Sequence, residues 1–296
     1  MQITLLDGGM GQELIHRAGD QPTPLWSTQV MIDRPGLVQQ IHAEYFAAGA
    51  TVATTNTYAI LRDRLAFAGA EDRYEALITA ALDEAEAAQL HAGTGRIAGA
   101  TGPLGASYRT DKHPSLTEAV PLYAEKMRLM APRVDLILIE TAASLLTVES
   151  ALQAGEQIDR PIWLGLSVDD EDGSRLRSGE ALADVLPMLD GRADAVLVNC
   201  SAPEAMPAAL DILRPAGLPL GAYANAFTQI TKAFLADAPT VDALSARRDL
   251  GPERYADHAM SWIDHGATIL GGCCETGPAH IAELARRLRA AGHEIV

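Results

Sequence analysis

Short apolar runs rich in β-branched residues recur along the whole chain, and a longer segment with helical spacing follows most of them. About eight of these runs are candidate strands: ITLLDGG, ATVATTN, RIAGATG, DLILIET, PIWLGLSV, AVLVNCS, LPLGAYAN and ATILGGCC. The segments between them include RPGLVQQIHAEYFAAG and DRYEALITAALDEAEAAQLHAG, the second of which closes on a glycine stop signal. The pattern therefore predicts that strand and helix alternate from end to end.

This alternation predicts an α/β fold with a parallel sheet. Strands that are apolar along their whole length are buried on both faces, and a helical crossover lets the next strand run parallel to the last. About eight such units fit one (β/α)8 TIM barrel, and no linker, low-complexity tract or repeat marks a domain boundary. We predict a single barrel domain over residues 1–296, with a doubly wound open sheet as the alternative.

Charge and composition narrow the classes of function. The formal net charge is −16, from 39 acidic and 23 basic residues. Such a chain repels a phosphate backbone, so we expect no nucleic-acid partner. Acidic residues interrupt the most apolar stretches, at Asp7, Asp135 and Glu140, so we expect no signal peptide, no membrane span and a cytoplasmic location. In that reducing compartment three cysteines are not expected to form a disulfide framework, which leaves metal binding, catalysis or burial.

Polar side chains stand where the predicted strands end, which is where the active sites of (β/α)8 barrels lie. In chain order they are Asp7, Asn56, Thr101, Glu140, Ser167, Asn199, Cys200, Asn225, Cys273 and Cys274. All three cysteines belong to this set, although burial alone would not favour strand ends over helix faces. Their shared position indicates a functional site at the rim of the barrel.

The three cysteines can meet at one point if the last strand breaks into a loop before Cys273. Gly271 and Gly272 permit that break, and Cys200 follows the sixth strand, two strands away around the barrel. Zn²⁺ favours tetrahedral thiolate coordination, and three protein ligands leave a fourth position open for water or substrate. The alternatives are cysteines buried as small hydrophobic residues, and a redox-active disulfide between Cys273 and Cys274.

A zinc site with three thiolates suits a thiol substrate better than water. Its net negative charge weakens the activation of water, whereas a thiol that binds as a fourth sulfur loses its proton outright. The thiolate formed in this way is electron-rich at neutral pH, and its natural partner is a carbon atom on a positively charged leaving group. The chemistry of such a site therefore indicates alkyl transfer to sulfur.

Seven longer stretches form a recognisable pattern. They are LLDGGMGQEL, PLWS, AGATVATTNTY, GATGPLGA, ETAASLLTVESAL, VNCSAPEAM and GATILGGCCETGPAHI. In these stretches, and in their order, the chain resembles the homocysteine S-methyltransferase family, the zinc-dependent (β/α)8 barrels that make methionine. The resemblance implies that Cys200, Cys273 and Cys274 are the zinc ligands at the catalytic centre. It also implies methyl transfer to the thiol of homocysteine from a sulfonium donor, S-methylmethionine or S-adenosylmethionine.

The same resemblance implies substrate contacts for other residues at the rim. Asp7 and Glu140 match family positions that hold the amino group of homocysteine, because an ammonium needs charged acceptors. The backbone N–H groups of Gly8 and Gly9 are expected to hold the substrate carboxylate, as the N-terminus of a helix does for anions. Two amide side chains are secondary candidates for supporting substrate or metal, beside a plain structural role: Asn199 and Asn56.

The chain departs from the family where the methyl donor would be recognised. After the seventh strand it reads YANAFTQITKAF, with Ala224 in place of the usual proline, and after the fifth strand Val168 replaces an aromatic residue. The sequence also stops soon after the last predicted helix, so we expect the short, sulfonium-using branch of the family. The expected partners are small molecules, and the oligomeric state is not predicted.

Several alternative functions stay open. The same zinc-thiolate chemistry can act on a different thiol or with a betaine-like donor. A non-catalytic barrel that binds metal or thiol would also keep the three cysteines. An aldolase with a lysine Schiff base would share the fold, but none of the lysines, which are Lys112, Lys126 and Lys232, stands at a predicted strand end.

Overall fold

All eight predicted strands are present in the computed structural model, which describes residues 1–19, 25–228 and 246–296. They are β1 (Gln2–Leu5), β2 (Val52–Thr54), β3 (Arg96–Thr101), β4 (Leu136–Ala142), β5 (Ile162–Leu166), β6 (Ala195–Asn199), β7 (Leu220–Tyr223) and β8 (Ala267–Leu270). A further short strand, β9 (Glu294–Ile295), pairs in parallel with β1 and was not predicted from the sequence. Two residues are too few to give a hydrophobic pattern.

The strands run parallel and curl into a barrel. Their order in the sheet is β2-β3-β4-β5-β6-β7-β8-β1, with β9 beyond β1. β1 pairs with β8 through Leu5 and Leu270, and a parallel bridge between Leu6 and Val52 joins the end of β1 to β2. The first strand thus contacts neighbours on both sides, which an open sheet does not allow at its edges. The predicted (β/α)8 barrel is confirmed, and the doubly wound alternative is wrong.

Helices surround the barrel in the described part of the chain. They are α1 (Met10–Ala18), α2 (Ser27–Asp33), α3 (Leu37–Ala48), α4 (Arg62–Phe67), α5 (Tyr74–Ala92), α6 (Leu116–Met130), α7 (Leu145–Gly155), α8 (Met206–Leu213), α9 (Pro252–Trp262) and α10 (Pro278–Ala290). Local sequence explains their ends: Ser144 caps α7 by accepting from the Thr147 N–H, and Gly93 ends α5 in the left-handed conformation. Between β5 and β6 the crossover is a long loop with a 3₁₀ segment (Leu182–Met188) that contains Pro187.

The alternation of side chains along the strands divides the core into two layers. In β4, Leu136 and Leu138 belong to the cluster inside the barrel, whereas Ile137 and Ile139 pack in the layer between strands and helices. Cys273 packs against the interior cluster. The cysteine loop therefore lies directly over the barrel interior, at the carboxyl ends of the strands, where the sequence placed the site.

Membrane-spanning helices and the lysines bear on the remaining sequence predictions. No helix in the described ranges is long and apolar enough to cross a membrane. The cytoplasmic location, the absence of a nucleic-acid partner and the single-domain assignment stay predictions. Of the lysines, Lys126 lies on α6 and not at a strand end, and its buried amine donates to the Thr57 carbonyl at 2.7 Å, in the loop after β2. Lys232 lies outside the described residues. So does most of the divergent segment after β7, from Gln229 to residue 245.

Candidate metal centre and substrate pocket

Three cysteine sulfurs converge at the mouth of the barrel. The Sγ atoms of Cys200, Cys273 and Cys274 all lie within 4.8 Å of one another, and those of Cys200 and Cys274 are 3.9 Å apart. Tetrahedral zinc with Zn–S bonds of about 2.3 Å holds its sulfurs about 3.8 Å apart. Residues 1–19, 25–228 and 246–296 contain no second group of three His, Cys, Asp or Glu side chains so arranged. The cluster is thus the candidate metal centre of the described chain.

Two backbone turns aim these sulfurs at one point. Cys200 follows β6 directly and adopts a left-handed conformation with φ of 49°, which breaks the alternation of the strand. Cys273 and Cys274 lie in the loop after β8, where the Thr276 hydroxyl donates to the Cys273 carbonyl at 2.6 Å and closes a tight turn. The loop brings adjacent cysteines to the same side, which a continuing strand could not do.

The structure joins Cys200 to Cys273 by a disulfide and leaves Cys274 free. The sequence predicted no disulfide framework, and its alternative of a redox-active disulfide named the adjacent Cys273 and Cys274, whereas the bonded pair is Cys200 and Cys273. The physical reason is the convergence itself, because sulfurs gathered to surround one ion are also close enough to bond when they are oxidised. A cysteine binds metal as its thiolate and not as a disulfide, so metal binding here requires Cys200 and Cys273 to be reduced.

The chemistry of the cluster fits a soft divalent cation. Burial, reinforced by the negative charges of Glu275 and Glu140, raises the pKa of the Cys274 thiol to about 12. Without a cation the thiol therefore keeps its proton at neutral pH, and only a bound positive charge makes the thiolate stable. Sulfur donors select zinc over the hard cations that prefer oxygen. The reduced residues that would hold zinc are Cys200, Cys273 and Cys274.

Two buried carboxylates stand at the same end of the barrel. Asp7 follows β1 and is 2% exposed, and Glu140 lies in β4 and is 9% exposed. Burial raises the pKa of Asp7 to about 7, although its Oδ2 accepts from the Thr54 N–H at 2.7 Å. Burial, and then the charge of Asp7, raises the pKa of Glu140 to about 8. The positive charge of Lys126 lowers the pKa of Glu140 only in part, and a ligand ammonium would stabilise the ionised form of both carboxylates.

The amides of Asn199 and Asn56 contact the protein backbone. Asn199 accepts from the Thr141 N–H at 3.0 Å and donates to the Thr141 hydroxyl at 3.2 Å. Thr141 has a left-handed φ of 59° where β4 is irregular, so Asn199 stabilises the turn that follows Glu140. The amide nitrogen of Asn56 donates to the Ser27 carbonyl at 3.5 Å and fixes the loop after β2 to α2. These contacts correspond to the structural role that the sequence left open for both residues.

The Gly8–Gly9 turn packs against the cysteine loop. The Gly9 N–H donates to the Thr276 carbonyl at 2.8 Å. A Cβ atom at Gly8 would overlap the Thr276 carbonyl oxygen, and one at Gly9 would overlap the carbonyl oxygen of Cys273. Close backbone approach therefore explains the two glycines. The Gly9 N–H is already bonded to the protein, which corrects its expected role as a donor to the substrate carboxylate.

Two further residues lie beside the carboxylates and were not predicted from the sequence. The hydroxyl of Tyr223 at the end of β7 lies next to Glu140 and partly lowers its pKa. His42 on α3 is fully buried, with its Nδ1 atom 3.9 Å from Asp7 Oδ2. The rule that polar strand ends carry the site would have found Tyr223. Nothing in the sequence marks His42, because it lies on a helix and within an apolar face.

Comparison with known proteins agrees with this geometry. The model of the family described as homocysteine S-methyltransferase matches residues 4–288. The homocysteine S-methyltransferase of Escherichia coli K12 is 31% identical, in an alignment covering 96% of this chain and 95% of the relative. A crystal structure of the E. coli homocysteine methyltransferase MmuM in its metallated form superposes with a TM-score of 0.79 at 30% identity, covering 97% and 96% of the two chains.

The oxidized form of the same E. coli protein also superposes with a TM-score of 0.79, at 30% identity and with 96% of each chain covered. Metal-bound and oxidized states therefore both occur in a protein of the same fold. The resemblance noted from the sequence motifs is confirmed, since the family model and the bacterial relative both span nearly the whole chain. The chain belongs to the homocysteine S-methyltransferase family and is an enzyme of the methyltransferase class.

Proposed function

We propose that the protein is a zinc-dependent enzyme that moves a methyl group from a sulfonium donor to the thiol of L-homocysteine, giving methionine. The donor is S-methylmethionine or S-adenosylmethionine. The observation that carries this proposal is the convergence of three cysteine sulfurs within 4.8 Å of one another, at the strand ends that also carry two buried carboxylates. Cys200, Cys273 and Cys274 would hold the metal, and small molecules are the only partners that the proposal requires.

Bound zinc supplies a thiolate nucleophile at neutral pH, because coordination removes the proton of a substrate thiol. The residues of the chain orient the substrate. Asp7 and Glu140 accept the ammonium of homocysteine, which fixes the amino-acid end and leaves the thiol side chain to reach the sulfur cluster. The Tyr223 hydroxyl lies beside Glu140 and favours the ionised carboxylate that accepts the ammonium.

The charge of the pocket supports a cationic donor. Glu275 and Glu140 act on Cys274, and Asp7 acts on Glu140, so the site becomes more negative as the carboxylates and the reduced cysteines ionise. A sulfonium is attracted to such a mouth and loses its charge when the methyl group leaves. No side chain has to act as a general base, because the substrate thiol has already lost its proton.

Product binding will depend on pH through the two carboxylates. Methionine is the best probe, because it carries the ammonium but no thiol that titrates. Because the pKa values of Asp7 and Glu140 are raised to about 7 and about 8, both groups hold protons in acid and ionise as the pH rises. We expect calorimetry of the reduced, zinc-loaded protein to show methionine binding at least about tenfold tighter at pH 8 than at pH 6. Affinity that stays constant over this range would contradict the assigned ammonium site.

A donor assay tests the function directly. The reduced protein, loaded with zinc, would be incubated with homocysteine and one of three donors: S-methylmethionine, S-adenosylmethionine or betaine. We expect mass spectrometry to detect methionine with at least one sulfonium and none with betaine. The matched control is the same protein after removal of the metal with a chelator. Folded, zinc-loaded protein that makes no methionine from either sulfonium would rule out the proposal.

A further inference from the structure

The loop that follows β5, residues 167–181 and here named the β5 loop, contacts the turn that carries Cys200. The Ser167 hydroxyl donates to the Cys200 carbonyl at 3.3 Å. Two residues later in that turn, the Ala202 N–H donates to Asp170 Oδ1 at 2.8 Å. The hydroxyl of Ser201, between them, accepts from the backbone of the β5 loop at 2.9 Å. Three consecutive residues of the turn are therefore bound by one loop.

Arg177 completes this contact from the far end of the β5 loop. Its Nη2 donates to the Cys200 carbonyl at 3.3 Å and to Asp170 Oδ1 at 2.6 Å, and its Nε donates to the Ser167 hydroxyl at 3.3 Å. The guanidinium lies 4.8 Å from the ring centre of Tyr108, whose own hydroxyl donates to the Cys200 carbonyl at 3.5 Å. Three side chains thus converge on a single carbonyl oxygen, and the Arg177 side chain is only 10% exposed.

The β5 loop is braced against the barrel. An antiparallel bridge joins Val168 to Leu176, and the Asp169 N–H donates to the Arg175 carbonyl at 3.0 Å, so the two arms of the loop pair with each other. At the tip, Gly173 packs so closely on the backbone of Ala205 that a Cβ atom would overlap its carbonyl oxygen. Because the β5 loop is held at both its arms and its tip, it can fix the position of the turn that carries Cys200.

Cys200 needs such support because of its backbone. Among the described residues it is one of five non-glycine residues with positive φ, and this conformation aims its sulfur at Cys273 and Cys274. A residue in this region returns to an extended conformation unless its surroundings determine its geometry. In metal sites generally, hydrogen bonds to the ligating residues hold their side chains in the orientation that binds the metal.

We propose that Arg177, with Asp170, Ser167 and Tyr108, is a positioning group that holds the Cys200 carbonyl and so keeps the Cys200 sulfur in the geometry that binds metal. The inference rests on the proposed function, since it assumes that Cys200 is a ligand. It assigns a role to a loop whose sequence departs from the family and which the proposed chemistry does not itself use.

Metal affinity tests this inference without reference to turnover. The variants are Arg177→Gln, Arg177→Lys and Tyr108→Phe, with Arg175→Gln as the matched control, because Arg175 lies in the same loop with its side chain 57% exposed. Zn²⁺ affinity of each reduced protein would be measured by competition with a chelator. We expect Arg177→Gln to weaken zinc binding by about 10- to 100-fold, Tyr108→Phe to weaken it less, and Arg175→Gln to leave it unchanged. Arg177→Lys keeps the charge but not the forked geometry, so we expect it to restore only part of the affinity.

Cobalt provides a readout that a merely structural role would not change. Co²⁺ bound to the reduced protein absorbs through its thiolate ligands, and we expect these bands to shift in Arg177→Gln and to stay in place in Arg175→Gln. If Arg177→Gln does not fold, Tyr108→Phe carries the test, because it removes a single oxygen atom. Unchanged zinc affinity and an unchanged cobalt spectrum in the folded variants would overturn the inference.

The two proposals fail in different ways. Wild-type protein that binds no zinc when reduced would remove the proposed function and this inference together. Zinc-loaded wild type that transfers no methyl group would remove only the function, since the affinity series is still measurable. Active, zinc-loaded wild type whose affinity survives Arg177→Gln would remove only the positioning role.

Discussion

The Cys274→Ser variant will contain no zinc after purification under reducing conditions, whereas the wild-type protein will contain about one ion per chain. Methyl transfer will fall by more than about 100-fold, since even residues that only orient a ligand reach losses of that size. Cys274 is the most informative of the three cysteines because the disulfide joins the other two. If activity depended on the Cys200–Cys273 disulfide, the Cys274→Ser variant would keep its activity. If the three sulfurs bind a metal, the same variant would lose it.

The measurements are elemental analysis of the purified protein and the rate of methionine formation. Cys200→Ser and Cys273→Ser are the matched variants, and we expect all three serine variants to behave alike. Thermal unfolding provides the control for folding, because the barrel has a large apolar core and does not depend on a metal to fold. A Cys274→Ser protein that retains zinc and activity while Cys273→Ser loses both would contradict the three-ligand site.

The Glu140→Gln variant will lose kcat/KM for homocysteine by about 30-fold to several thousand-fold, the effect of removing one partner of a buried charge pair, about 2–5 kcal/mol. The same substitution will stabilise the protein that lacks substrate. The pKa of Glu140 is raised to about 8, so the folded state holds a proton that the unfolded chain releases above about pH 4.5, and stability falls as the pH rises through that window. Glutamine keeps the shape and removes this penalty.

The amino group of the substrate gives this prediction a sharp control. 4-Mercaptobutanoate has the thiol and the carboxylate of homocysteine but no ammonium, so we expect wild type and Glu140→Gln to methylate it equally slowly. Glu149→Gln is the matched protein control, because Glu149 pairs with Arg192 on the outside of the barrel, on α7. Loss of activity toward both thiols would show that Glu140 acts on the fold or the metal instead of the ammonium.

The sequence predicted the barrel well because each strand has a clear local pattern. In β4, for example, residues 136–139 are all apolar and the whole strand is buried, and such a run predicts a parallel strand without tertiary information. The crossover after β5 could not be predicted in the same way. Its residues form a loop and a 3₁₀ segment, and the paired arms of that loop depend on contacts with the turn after β6, which no local pattern contains.

The candidate site was only partly predictable for a similar reason. Position at a strand end was enough to single out Asp7, Glu140 and the cysteines. It was not enough to distinguish a residue that faces the pocket from one that supports the backbone, as Asn199 does through Thr141. The hydrogen bond from the Gly9 N–H could not be predicted either, because its acceptor, the Thr276 carbonyl, comes from the opposite end of the chain. Such contacts exist only after the barrel has closed.

The pairing of β1 with β8 sets an order of events during folding. The sulfurs of Cys273 and Cys274 follow β8, the turn that packs on them follows β1, and the two strands lie at opposite ends of the sequence. Contacts over such separations form late, because the entropy of closing a long loop must be overcome first. The cysteine loop therefore reaches its final packing against the Gly8–Gly9 turn only in a chain whose two ends have already met.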